Sequence, residues 1–155
     1  MPNRDRLSAG AAVVAVVLAV VAVWQFVAAP RHWSDDEFVA ATTERVELLI
    51  AADRDDPERA GRILSGATGS FADAFAQSAD AYTEYVARAD TRGDGHVDGV
   101  ALARRDGESA VMLVAASLMV STAQGRDSAP TLLRMRVLMT PEDRQLKIAA
   151  LEVLG

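Results

Sequence analysis

An uncharged run extends from Leu7 to Ala29, with Gln25 as its only amide. No polar side interrupts it, so it cannot form the half-wetted face of an ordinary globular helix. At about 1.5 Å per helical residue it is roughly 30 Å long, enough to cross the hydrocarbon core of a bilayer. The expectation is a transmembrane anchor at residues 7–29, preceded by a short cytoplasmic N-terminus at residues 1–6. A cleaved signal peptide is the competing reading, and Val27-Ala28-Ala29 before Pro30 offers a small-x-small pattern for it. Signal peptides, however, carry apolar regions of about 7–15 residues. This run is longer and ends in Trp24, Gln25 and Phe26, which suit a membrane interface.

The flanks set an orientation. Arg4 and Arg6 precede the run, whereas Arg31 is followed by Asp35, Asp36 and Glu37. The positive side stays in the cytoplasm, which places the N-terminus inside and residues 34–155 outside a single-pass cell (inner) membrane protein. Trp24 and Trp33 bracket the exit side as interfacial anchors. Packing of Trp33 on the first helix of the domain is the alternative.

The part beyond the anchor is the size of one domain with its own core. It has no cysteine, so it depends on apolar packing and offers neither a thiolate metal site nor a cysteine nucleophile. With 22 acidic against 16 basic residues the chain carries a formal charge of −6. That balance repels nucleic acid and anionic headgroups, so neither is an expected partner of the domain.

The first half of this domain has helical periodicity. Ser34 with Glu37 forms a capping-box pattern, and Val39, Val46, Leu49 and Ile50 recur at helical spacing up to about Asp53. Asp56-Pro57 signals a short second helix through Ile63 and Leu64, ending at Gly66. Ser70 with Asp73 opens a third, with Phe71, Phe75, Tyr82, Tyr85 and Val86 on one face. That stripe is read as a core face.

The second half changes period. Gly93 to Gly99 is expected as a loop or irregular strand start. Val100–Arg105 and Ser109–Thr122 flank Asp106-Gly107, a tight-hairpin signal. Val111 to Val120 is almost continuously apolar, as in a central strand covered on both faces. Leu133, Met135, Val137 and Met139 alternate with Arg134 and Arg136, the pattern of a half-buried strand. After a turn at Pro141 to Arg144, the last strand sets Leu146, Ile148 and Ala150 on one face. The expected fold class is α+β. Three helices pack on a curved antiparallel meander of about four strands, forming a cone behind an N-terminal transmembrane helix.

One short stretch carries a family likeness. Ala67-Thr68-Gly69-Ser70-Phe71, with Phe75 four residues on, follows an anchor and two helices. The chain thereby resembles the Mce-associated membrane proteins of actinobacteria, encoded near mammalian-cell-entry lipid import systems. Their soluble domain resembles nuclear transport factor 2 and the inner-membrane scaffold domain of type IV secretion systems. In that family a Thr-Gly before an aromatic opens the third helix, which matches Thr68, Gly69 and Phe71. Many members end in a Gly-Trp-Leu-Val-like strand, whereas this chain has Gln145-Leu146-Lys147-Ile148. The resemblance implies a non-catalytic accessory subunit of a lipid or sterol importer, with protein partners in the transporter complex.

Read for chemistry, the chain offers little. Asp90, Asp94 and Gly95 fall at calcium-loop positions one, five and six, but Arg92 and Ala101 occupy positions three and twelve. No metal site is expected there. His96 and Asp98 would project to the same side of a strand, the minimum for an acid–base pair. No nucleophile elbow or phosphate-binding loop is present in the sequence. The expectation is no catalytic residue, no metal and no cofactor. Arg104, Arg105, Arg134 and Arg136 are expected to pair with acids on the same sheet or on a partner. A binding module carrying a lipid or small hydrophobic ligand in the cone is the alternative to the accessory subunit.

Overall fold

A computed structural model describes residues 32–51, 56–88, 91–122 and 129–155, with backbone only at 85–88, 91–92 and 120–122. The expected anchor, with Arg4, Arg6 and Trp24, lies outside the described residues, as do Asp53, Asp90 and the side chains of Tyr85 and Val86. Among the described residues no helix is long and apolar enough to cross a membrane.

Helix α1 runs over Asp35–Ile50, α2 over Arg59–Ser65 and α3 over Gly69–Arg88. Four strands follow: β1 (Thr91–Asp106), β2 (Ser109–Thr122), β3 (Thr131–Glu142) and β4 (Gln145–Leu154). They form one antiparallel sheet in the order β1-β2-β3-β4, the expected meander.

Local chemistry sets the boundaries. Ser34 Oγ accepts the Glu37 N–H at 3.2 Å, and Glu37 accepts the Ser34 N–H at 2.8 Å, completing the capping box. Such a cap contributes about 0.5–2 kcal/mol. The expected cap at Asp56 does not form, because the Asp56 carboxylate turns to Arg59 and Arg62 instead. The β1–β2 loop is Gly107-Glu108, with Gly107 at φ 60°. The β3–β4 loop is Asp143-Arg144, both at positive φ, so Pro141 belongs to β3, opposite Leu146. Two positive φ values make this the mirror-image turn that follows the twist of the strands.

The core lies between α1 and one face of the sheet. Phe38 and Val46 meet Met112, Met135, Val137 and Met139, all essentially without exposure. Each such side chain contributes about 1.5–3 kcal/mol by leaving water. Thr42 sits among them and satisfies its hydroxyl by donating to the Phe38 carbonyl at 2.6 Å.

Two expectations change, and a third resolves to one of its alternatives. β2 is not covered on both faces: Ala110, Met112, Val114 and Ala116 are buried, but Leu113 is 41% and Met119 45% exposed. Of the two readings of Gly93 to Gly99 the irregular strand start holds: the segment lies in the first half of β1, with a register shift between Val97 and Gly99. A Cβ at Gly95 would stand 2.4 Å from Ile50, so the glycine lets the end of α1 approach the strand. Ala150 does not share a face with Leu146 and Ile148. A register shift sets Ile148 opposite Met139 but Ala150 opposite Leu138, and Leu151 takes the inward place.

Candidate docking surface and helix junction

Where the second helix meets the third, the chain is stitched to β4. The Thr68 N–H donates to the Ile148 carbonyl at 2.8 Å, and the Ile148 N–H to the Gly66 carbonyl at 2.9 Å. Ala67 and Ile148 thus form a one-residue parallel bridge, covering part of an otherwise open strand edge. Gly69 follows at φ 52°, with the place of its missing Cβ 3.3 Å from the Ala149 carbonyl oxygen.

The expected cap is different. The Thr68 hydroxyl donates to Glu142, and Ser70 donates to the Ala149 carbonyl at 3.3 Å. Both hydroxyls tie the junction to the sheet rather than closing the helix. Phe71 packs against the core and stacks on Phe75 at 6.1 Å, and Phe75 meets Tyr82 at 5.7 Å. The described part of the stripe is half-buried: Phe71 packs at the edge of the core, and none of the three rings joins the fully buried set. The Tyr82 hydroxyl is buried without a hydrogen bond, and desolvation raises its pKa against the pull of Arg59.

At the entry to the domain, Trp33 is half-buried and packs against the core. Its carbonyl accepts from Arg105 at 2.7 Å. The Arg105 guanidinium also bonds Asp35 at 2.7 Å and lies 4.2 Å over the Phe38 ring. One arginine thus fixes the start of α1 to β1.

The candidate chemical groups are dispersed. His96 Nδ1 lies 3.4 Å from Glu47, whereas Asp98 accepts from Ser117 at 3.2 Å, so His96 and Asp98 do not pair. Among the described residues no three potential metal ligands come together. A cleft of about 510 Å³ opens at the end of α1, lined by Glu44, Arg45, Glu47, Arg59, Arg62 and neighbours. Its arginines each make a hydrogen bond within the chain, while Arg45 Nε and Arg59 Nε are buried without one. Arg45 donates to Gln145, Arg59 to the Ala51 carbonyl and Arg62 to Asp56. The Arg62 hydrogen bond holds the Asp56 carboxyl below the usual carboxylate range and outweighs desolvation.

The outer face of the sheet is open. Arg136 pairs with Glu152 at 2.7 Å, while Arg104 stands 3.9 Å from Asp106. Arg134 forms no ion pair or hydrogen bond among the described residues, and Leu132 beside it is 75% exposed. The apolar composition of β2 and β3 was legible in the sequence. Its presence on the solvent side was not, because register decides it.

Solved structures share this architecture. An IcmL-like type IV secretion system protein from Legionella pneumophila superposes with a TM-score of 0.65 at 11% identity, over 80% of this chain and 94% of that one. A periplasmic fragment of TraM gives 0.64 at 9% identity, over 79% and 98%. CagV, a VirB8 homologue of the Helicobacter pylori type IV secretion system, gives 0.62 at 9%, over 78% and 98%. At such identities the likeness is one of fold.

In sequence, the chain is 29% identical over 158 residues to a Mycobacterium tuberculosis protein described as "Uncharacterized protein Rv1363c". The match covers 98% of this chain and 60% of the length of that relative. A family model described as "Uncharacterized protein Rv1363c/MT1408-like" matches residues 7–155, nearly the whole sequence, and the chain belongs to that family.

Proposed function

We propose that this protein is a non-catalytic, membrane-anchored accessory subunit that stabilises or assembles a mammalian-cell-entry lipid or sterol import complex. Its N-terminus is cytoplasmic and its α+β domain extracytoplasmic. One observation carries the reading: the inward positions of the sheet are filled by Met112, Val114, Met135, Val137 and Met139, all close to fully buried. In this fold those positions would have to supply acid–base groups or ligand space. With packed aliphatic side chains there, the surface is left as the working part.

Three further points support it. The uncharged run at residues 7–29 has the length and flanks of a retained anchor. Solved domains of the same fold include proteins described as periplasmic or as parts of secretion systems. Tethering to a shared membrane raises local concentration, so a modest interface suffices. The alternative, a hydrophobic ligand carried in the cone, requires space where the three methionines pack.

The test is affinity purification of the full-length chain in mild detergent, followed by mass spectrometry. A transporter subunit at stoichiometric level, lost when residues 34–155 are removed, is expected. Purification of the chain alone, with a bound lipid or sterol, would overturn the subunit role.

A further inference from the structure

The outer face of the sheet carries one cation in an unusual setting. Arg134 lies on β3 between Ala115 of β2 and Leu154 of β4, its cross-strand partners. Leu132 precedes it on the same face at 75% exposure, and Leu113, diagonally across on β2, is 41% exposed. The next arginine along, Arg136, is taken by Glu152 at 2.7 Å. Arg134 has no such acid among the described residues. A guanidinium offers five donors in a rigid fork that matches a carboxylate. Set among exposed leucines, it is the kind of anchor that dominates protein interfaces.

We propose that this face, centred on Arg134, docks a partner-protein segment in which an aspartate or glutamate is flanked by apolar residues. The proposal rests on the accessory-subunit reading and names its surface. Charge complementarity selects this occupant. A second copy is disfavoured, because Glu152 on the same face is already taken by Arg136 and Asp98 by Ser117, which leaves Arg134 no uncommitted carboxylate there among the described residues. An anionic bilayer is disfavoured by Asp98 and Glu152 nearby and by the −6 charge of the chain. An acidic apolar segment meets the free guanidinium with its carboxylate and covers Leu113 and Leu132 with its apolar side chains.

The test is site-specific photo-crosslinking of the full-length chain in its own cells. The photoreactive residue replaces Leu132, with exposed Ala76 on α3 as the control position. The Leu132 probe is expected to give a protein adduct whose crosslinked peptide contains Asp or Glu among apolar residues. Arg134→Glu should lower its yield about tenfold. Reversing the partner's acid to Arg should restore it, which a misfolded variant could not do. Adducts to a second copy or to lipid, no adduct at Leu132, or a yield indifferent to Arg134→Glu would overturn the proposal. If a transporter subunit co-purifies while Leu132 stays silent, the surface assignment fails and the accessory reading stands. An acidic-peptide adduct on a protein unrelated to transport keeps the surface assignment and removes the transporter role.

Discussion

Thr68 donates its backbone N–H to the carbonyl of Ile148 at 2.8 Å, and this bond holds the start of the third helix against the last strand. It gives Thr68-Gly69 before Phe71 a structural role at this helix junction. The Thr68 backbone pairs with the sheet, Gly69 turns the chain at positive φ, and Phe71 enters the core edge. The motif is an architectural latch, and its consequences are measurable as stability.

Gly69→Ala should destabilise the domain by about 1–2 kcal/mol, the cost of a left-handed conformation for a residue with a Cβ. The added carbon also stands 3.3 Å from the Ala149 oxygen, so relaxation is limited. Urea unfolding of the full chain in detergent micelles should show a lower midpoint with an unchanged slope. An unchanged midpoint would mean that φ 52° is not maintained.

Arg105→Ala should cost about 1–2 kcal/mol, because it removes the Asp35 pair, the Trp33 carbonyl bond and the contact with Phe38 together. Asp35→Asn should cost less, since the other two contacts survive. A double-mutant cycle between the two positions isolates the pair. Equal costs for both substitutions would show that only the ion pair matters.

Arg144→Gly should stabilise the β3–β4 turn by up to about 0.5 kcal/mol. Relief of φ 62° is worth about 1 kcal/mol, and glycine's greater freedom in the unfolded chain offsets part of it. Thermal unfolding would register this as a small rise in midpoint. A fall would mean that the interactions lost with the Arg144 side chain outweigh the relief of strain.

Two limbs of the pH profile follow from ion pairs. The Asp56 pKa is lowered, chiefly by the Arg62 hydrogen bond. Its contribution is present above the unfolded value, about 3.9, and is lost as pH falls through the lower folded value. The Lys147 pKa is raised, chiefly by the Asp143 hydrogen bond. Its contribution is complete below the unfolded value, about 10.4, and is lost as pH rises through the higher folded value. Arg62→Gln should flatten the acid limb and Asp143→Asn should reduce the alkaline one, with Glu142 still beside Lys147, read from denaturation midpoints across pH. An acid limb unchanged by Arg62→Gln, or an alkaline limb unchanged by Asp143→Asn, would contradict these assignments.

Local signals were legible and register was not. The Ser34–Glu37 capping box, the Gly69 junction and the alternation of β3 lie within a few residues of sequence and survive in the fold. The long apolar strand misleads because Leu113 and Met119 look like core residues and face solvent. Ala150 misleads because the register shift before it exchanges faces without disturbing composition. The strand through Gly95 is hidden by its glycines, of which Gly95 admits the close approach of Ile50. At the surface, the arginines on the sheet are visible in the sequence. That Arg136 finds Glu152 while the cross-strand partners of Arg134 are Ala115 and Leu154 depends on pairing across three strands.

The most direct test of the accessory role is the abundance of mammalian-cell-entry transporter subunits in membranes of cells lacking this protein, measured by quantitative mass spectrometry. A several-fold loss of those subunits is expected, restored by the full-length chain and not by residues 1–33 alone. Transporter levels and lipid uptake equal to those of the parent cells would contradict the role.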